Sequence, residues 1–164
     1  MTVVADSSPL VILTKLGCFD LLNSLFPRLY ISSEVHHEVV IAGVGLPGSL
    51  EVAKAEWIEV KQLQNPANLL AAQQKYALGA GELSTILLGK DLRADAVLLD
   101  DYKARGLAKV EGLKVRGSVG LLETFYQRGY LADLRTAFQQ LLMHSYIDQR
   151  LLDRRLRALG LPPL

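Results

Sequence analysis

Five acidic residues stand at or soon after points where apolar runs give way to helical sequence. Asp6 follows Val3-Val4-Ala5, and Glu38 lies on a helix after Leu29-Tyr30-Ile31. Glu82 follows Gly79-Ala80-Gly81, and the pair Asp100-Asp101 directly follows Val97-Leu98-Leu99. Each has a plain structural use. An aspartate after a strand caps a helix, a glutamate in a first turn complements the helix dipole, and a glutamate beside an apolar stripe reaches for solvent. The adjacent Asp100 and Asp101 are harder to explain that way, because one cap is enough and two like charges at a strand end repel. A divalent cation between them and the other carboxylates relieves that repulsion. Oxygen-only ligands of this kind suit Mg²⁺ or Mn²⁺ and not zinc.

To meet at one place, these residues need a scaffold that brings several strand ends together. The chain alternates short β-rich runs with helical stretches, as in an α/β fold with a parallel sheet, where ligands bind outside the carboxyl ends of the strands. The patterning predicts strands at Val3–Ala5, Leu29–Ile31, Trp57–Val60, Ala96–Leu99 and Leu113–Val115. Helices are predicted to start after Asp6, to run over Phe19–Phe26, and to run from a Ser32 or Ser33 cap to about Ala42. Further helices are expected near Glu51–Lys54, at about 66–78 and 82–93, from Asp100-Asp101, and from a Ser118 cap. Two more helices close the chain, the last with Ile147, Leu151, Leu152, Leu156 and Leu159 at helical spacing. On this helix Glu38 falls near Val35 and Ala42, at the margin of the buried face.

The segments that carry these acids resemble the PIN-domain family of metal-dependent ribonucleases. They are Val4-Ala5-Asp6-Ser7-Ser8-Pro9-Leu10-Val11, Ser33-Glu34-Val35-His36-His37-Glu38-Val39, Gly81-Glu82-Leu83-Ser84-Thr85-Ile86 and Leu98-Leu99-Asp100-Asp101. Val115-Arg116-Gly117-Ser118-Val119-Gly120-Leu121-Leu122, with the helical stretch after it, is similar to a subfamily related to the toxins of toxin–antitoxin modules. The resemblance implies a three-layer α/β/α domain with a central, mainly parallel sheet of four or five strands. It spans residues 1–164, with a helical extension from about residue 133. It implies a Mg²⁺- or Mn²⁺-dependent endoribonuclease, and with it the toxin of a toxin–antitoxin pair. Asp6, Glu38, Glu82 and Asp101 would then be metal ligands, Asp100 would join the catalytic set, and Ser7 would steady a ligand by hydrogen bonding. Leu99 stands where the family carries Thr or Ser, which leaves the choice between Asp100 and Asp101 open. The alternative is a non-catalytic PIN-fold module that regulates or binds nucleic acid. Related toxins pair as homodimers and are held by an antitoxin. Leu22, Leu25 and Phe26, or Leu121, Leu122, Phe125 and Tyr126, supply apolar surface for such a pairing.

Composition fits this frame and excludes others. Half of the 164 residues are hydrophobic and 21% are charged, unlike a disordered chain. No apolar run reaches membrane-spanning length and no leader pattern opens the chain, which predicts a soluble, cytoplasmic protein. The one cysteine, Cys18, excludes an internal disulfide and reads as core. Gly43-Val44-Gly45-Leu46-Pro47-Gly48 fits a dinucleotide fingerprint but follows a helix instead of a strand. His36 and His37 lie 100° apart on a helix and cannot both face one metal. Net charge is +1, but residues 101–164 carry 11 Lys/Arg against 6 Asp/Glu. Lys103, Arg105 and Arg116 lie near the proposed acids and are the expected RNA contacts. Arg150, Arg154, Arg155 and Arg157 form a second basic group whose use is open.

Overall fold

The computed structural model describes residues 1–164. Its five strands form one parallel sheet: β1 (Val3–Ala5), β2 (Leu29–Ser32), β3 (Ile58–Lys61), β4 (Ala96–Leu98) and β5 (Val115–Arg116). Their spatial order is β3-β2-β1-β4-β5. The chain therefore moves one way from β1 and the other way from β4. A crevice opens outside the carboxyl ends of β1 and β4, where such sheets bind ligands.

The central strands β1 and β4 are wholly apolar because they are covered on both faces. Val3, Ala5, Ala96 and Leu98 point into one core with Leu10, Leu13, Leu22, Leu121, Phe125 and Phe138. Val4, Val97 and Leu99 point into the other, with Ile86, Leu88, Ala104 and Ala108. The first core is roofed by α1 (Ser7–Lys15), α2 (Leu21–Leu25), α8 (Ser118–Gln127), α9 (Leu134–His144) and α10 (Gln149–Ala158). The second is roofed by α6 (Ala80–Asp91) and α7 (Tyr102–Val110). Shorter helices α3 (Ser33–His36) and α4 (Ser49–Lys54), with α5 (Ala67–Lys75), complete the three layers. Cys18 is buried among the first core. No helix is long and apolar enough to cross a membrane.

Several boundaries differ from expectation. The last strand is Val115–Arg116, two residues later than its apolar run suggests. α5 stops at Lys75, short of residue 78. The helix capped by Ser32 is α-helical only to His36 and then widens into a π turn over His37–Ile41. Ser118 is not a cap: Gly117 holds that position, and the serine's hydroxyl is turned to Asp100. Leu22, Phe26, Leu121, Leu122 and Phe125 are buried within this one chain, so these side chains offer no surface to a second copy.

Candidate active site

Asp6 ends the central strand β1 and is 4% exposed. It stands at the N-cap of α1, yet its side chain makes no capping bond. Burial, together with the charges of Glu82, Glu38 and Asp100, pushes its pKa up to about 7. The Ser7 amide favours the ionised form, but burial and the three neighbouring charges outweigh it.

Each of those three is held by neutral donors. Ser7 donates its hydroxyl to Glu38 Oε2 at 2.6 Å. Gly79 donates its amide to Glu82 Oε2 at 2.9 Å, so Glu82 closes the first turn of α6. Asp100 accepts the Ser118 amide at 2.7 Å, the Ser118 hydroxyl at 2.7 Å and the Ser8 hydroxyl at 3.2 Å. Asp101 does something else. It is exposed, and its carboxylate caps α7 by accepting the Ala104 amide at 2.9 Å.

Two glycines let the flanking carboxylates come this close. A Cβ on Gly81 would fall 2.6 Å from Glu38 Oε1, and a Cβ on Gly117 would fall 2.5 Å from Arg105 Nη1 and 3.2 Å from Asp100 Oδ1. The space that a side chain on Gly81 would need is taken by Glu38. Glu38 is also exposed, not at the edge of the core. The π turn beginning at His37 breaks the 100° periodicity from which its position had been reckoned.

Asp6, Glu82, Asp100 and Asp101 line a cleft of about 990 Å³ at the carboxyl edge of the sheet, and Glu38 is not part of its lining. No three carboxylates, histidines or cysteines are gathered within reach of a single cation. A hard divalent cation needs fewer: Mg²⁺ is commonly held by one or two carboxylates and keeps several waters. An all-oxygen donor set around a buried Asp6 whose ionisation its neighbours oppose fits such an ion.

Of the expected RNA contacts, Lys103 is exposed but does not line the cleft. Arg105 lines it, with its guanidinium donating to the Leu99 carbonyl at 2.9 Å. Arg116 lines it too, while donating to Thr124 at 2.7 Å and lying over the Phe26 ring. Sequence reasoning missed Ser8 and Ser118, which hold Asp100, and also missed Lys15, Tyr102 and Tyr146, which line the cleft. The two serines were findable, since both follow parallel strands at the carboxyl edge. The α9–α10 connection that carries Tyr146 was not.

A family model described as a PIN domain matches residues 2–161. Among solved structures, a PilT N-terminus domain protein from the hyperthermophilic archaeon Sulfolobus solfataricus P2 is similar. It is 15% identical with a TM-score of 0.49, and the alignment covers 76% of this chain and 92% of that one. No curated protein matches the chain.

Proposed function

We propose that this chain, which belongs to the PIN-domain family, is a divalent-cation-dependent endoribonuclease centred on Asp6. Asp6, Asp100, Glu82 and Glu38 are its acidic groups. The observation that carries the reading is Asp6 itself, buried just beyond the central strand, its pKa raised first by burial and then by the charges of Glu82, Glu38 and Asp100. A structural aspartate has no need of such neighbours.

In this reading Asp6 and Asp100 flank the crevice and would hold the ion, with Glu82 and Glu38 reaching it directly or through water. When bound, Mg²⁺ or Mn²⁺ supplies Lewis acidity that lowers the pKa of a water and offsets charge on the phosphate. Ser118 and Ser8 fix the Asp100 carboxylate by three hydrogen bonds, so little reorganisation is needed on binding. Ser7 holds Glu38 by one oxygen, and the Glu38 charge helps to raise the pKa of Asp6.

The test is cleavage of an unstructured RNA in Mg²⁺ and in Mn²⁺, with EDTA as control and Asp6→Asn as the inactive variant. Metal-dependent cutting that vanishes in Asp6→Asn supports the proposal. Full-rate cutting by a folded Asp6→Asn protein overturns it, and RNA binding without cutting under any metal favours the non-catalytic module. The toxin role, an antitoxin partner and a homodimer follow from the resemblance and extend this proposal. Growth arrest on expression, relieved by the product of an adjacent small reading frame, tests the first two; light scattering tests the third.

A further inference from the structure

The cleft has lining residues that the acidic centre does not explain. Beyond Asp6 and Asp100 it is lined by Lys15 at the end of α1, Tyr102 at the start of α7, and Tyr146 in the α9–α10 connection. Four lysines and arginines line it: Lys15, Arg105, Arg116 and Arg155. The three arginines are engaged inside the molecule. Arg105 is bonded to Leu99, Arg116 to Thr124, and Arg155 to Glu123 in a bidentate pair. Lys15 makes no hydrogen bond or ion pair and is exposed. The two tyrosines are equally uncommitted. Tyr102 is 91% exposed and Tyr146 fully exposed, and neither hydroxyl is hydrogen-bonded. Large aromatic rings left in water stabilise nothing in the free protein, and here they stand on separate elements of one cleft beside an acidic centre.

We propose that Lys15, Tyr102 and Tyr146 position the RNA strand, so that the α9–α10 connection is one wall of the substrate site. This rests on the endoribonuclease reading. Lys15 takes a backbone phosphate, where a mobile ammonium suits a substrate that must advance and leave. The tyrosines stack on bases. Stacking of this kind needs bases out of a duplex, so the grip selects unpaired stretches and tolerates any base. Arg105 and Arg116, which the sequence favours as RNA contacts, each commit one guanidinium nitrogen inside the molecule and line the same cleft.

The experiment measures binding of the full chain to a short unstructured oligoribonucleotide in EDTA, and KM and kcat for its cleavage in Mg²⁺. Tyr102→Ala and Tyr146→Ala are each expected to weaken binding about five- to tenfold and to raise KM with kcat little changed. Tyr146→Phe keeps the ring and is expected to match the wild type. Lys15→Ala is expected to lower the slope of log affinity against log salt by about 0.7, the share of one phosphate on a single strand, and Lys15→Arg to restore it. All three side chains are exposed, so their loss leaves the core untouched, and thermal melts check this. If the wild type cuts RNA while both tyrosine variants keep its affinity and KM, this inference is overturned and the nuclease reading stands. If the wild type neither binds nor cuts RNA, both are overturned.

Discussion

The Glu38 carboxylate lies against the backbone of Gly81, with both oxygens inside the space that a side chain on residue 81 would need: a Cβ there would stand 2.6 Å from Oε1 and 2.7 Å from Oε2. Two distant elements are thereby fitted to each other, the π turn of His37–Ile41 and the first turn of α6. In Gly81→Ala the group that gives way is Glu38, since it is exposed and its carboxylate is the mobile end of a side chain.

Helix propensity then works in the variant's favour, because Ala in a helix is better than Gly by about 0.5–1 kcal/mol. The melting temperature of Gly81→Ala is therefore expected to hold or rise slightly. Activity is expected to fall about 10- to 100-fold, the usual consequence of displacing a group that supports a metal site. A melt and a cleavage assay on the same preparation check both signs. A variant that loses stability and activity together would mean that Glu38 cannot move aside.

Metal-free stability is expected to fall as pH rises. Asp6 has its pKa raised to about 7 in the folded chain, against 3.8 as the ordinary value. Between those values the folded state binds more protons than the unfolded state, so stability declines through that window and levels off above it. Three units correspond to an upper bound of about 4 kcal/mol. Urea melts in EDTA at pH 5 and pH 8 span about two of those units and are expected to show this loss, by up to about 3 kcal/mol. Asp6→Asn is expected to flatten it, and added Mg²⁺ to recover stability at pH 8 for the wild type only.

These residues also mark how far the sequence could be read. The fold was legible because the evidence for it is local: apolar runs such as Val3–Ala5 and Val97–Leu99 are buried on both faces, and caps such as Ser32 mark the helix starts. Asp6, Asp100 and Asp101 were legible as candidates because they follow strands on one edge of a parallel sheet, and Glu38 and Glu82 because they stand on helices beside apolar stretches. Their roles were not. That Glu38 rests on Gly81, and that Ser118 serves Asp100 instead of capping α8, depends on a π turn and on contacts 18 to 43 residues apart, which no periodicity records. The terminal basic cluster shows the same limit. Arg155 has a buried partner in Glu123, whereas Arg150 pairs with its near neighbour Asp148 at the surface.

The Arg155–Glu123 pair fixes α10 to α8 and is expected to matter for stability. Glu123 is 7% exposed, so Arg155→Ala leaves an unpaired charge in the core. Breaking a fully buried pair costs about 3–5 kcal/mol, and the half-exposed arginine lowers that here to about 2 kcal/mol. For a chain of this size the melting temperature should drop by about 4–8 °C. The double variant Glu123→Leu with Arg155→Met is expected to recover most of the loss, because it removes the stranded charge. A double variant as unstable as the single one would point to lost packing by the arginine stem instead.

The final prediction separates the two adjacent aspartates. Asp100 takes three hydrogen bonds from Ser118 and Ser8, and its charge raises the pKa of Asp6. Asp101 spends its carboxylate on the Ala104 amide at the N-terminus of α7 and does not contribute to that shift. A serine can do the capping work of Asp101, at a cost within about 0.5 kcal/mol. Asp101→Ser is therefore expected to keep most of its cleavage activity and its melting temperature. Asp100→Asn preserves shape and can still accept from Ser118, but it removes a full negative charge beside Asp6. It is expected to lose at least about 100-fold in metal-supported activity, a consequence of weakening the ion's site. It is also expected to lower the Asp6 pKa, because one repelling charge is gone. Cleavage rates and the pH dependence of stability, measured on the pair, decide the matter. If Asp101→Ser is the inactive one, the ion is held on the α7 side of the crevice, and Asp100 is only a brace between β4 and α8.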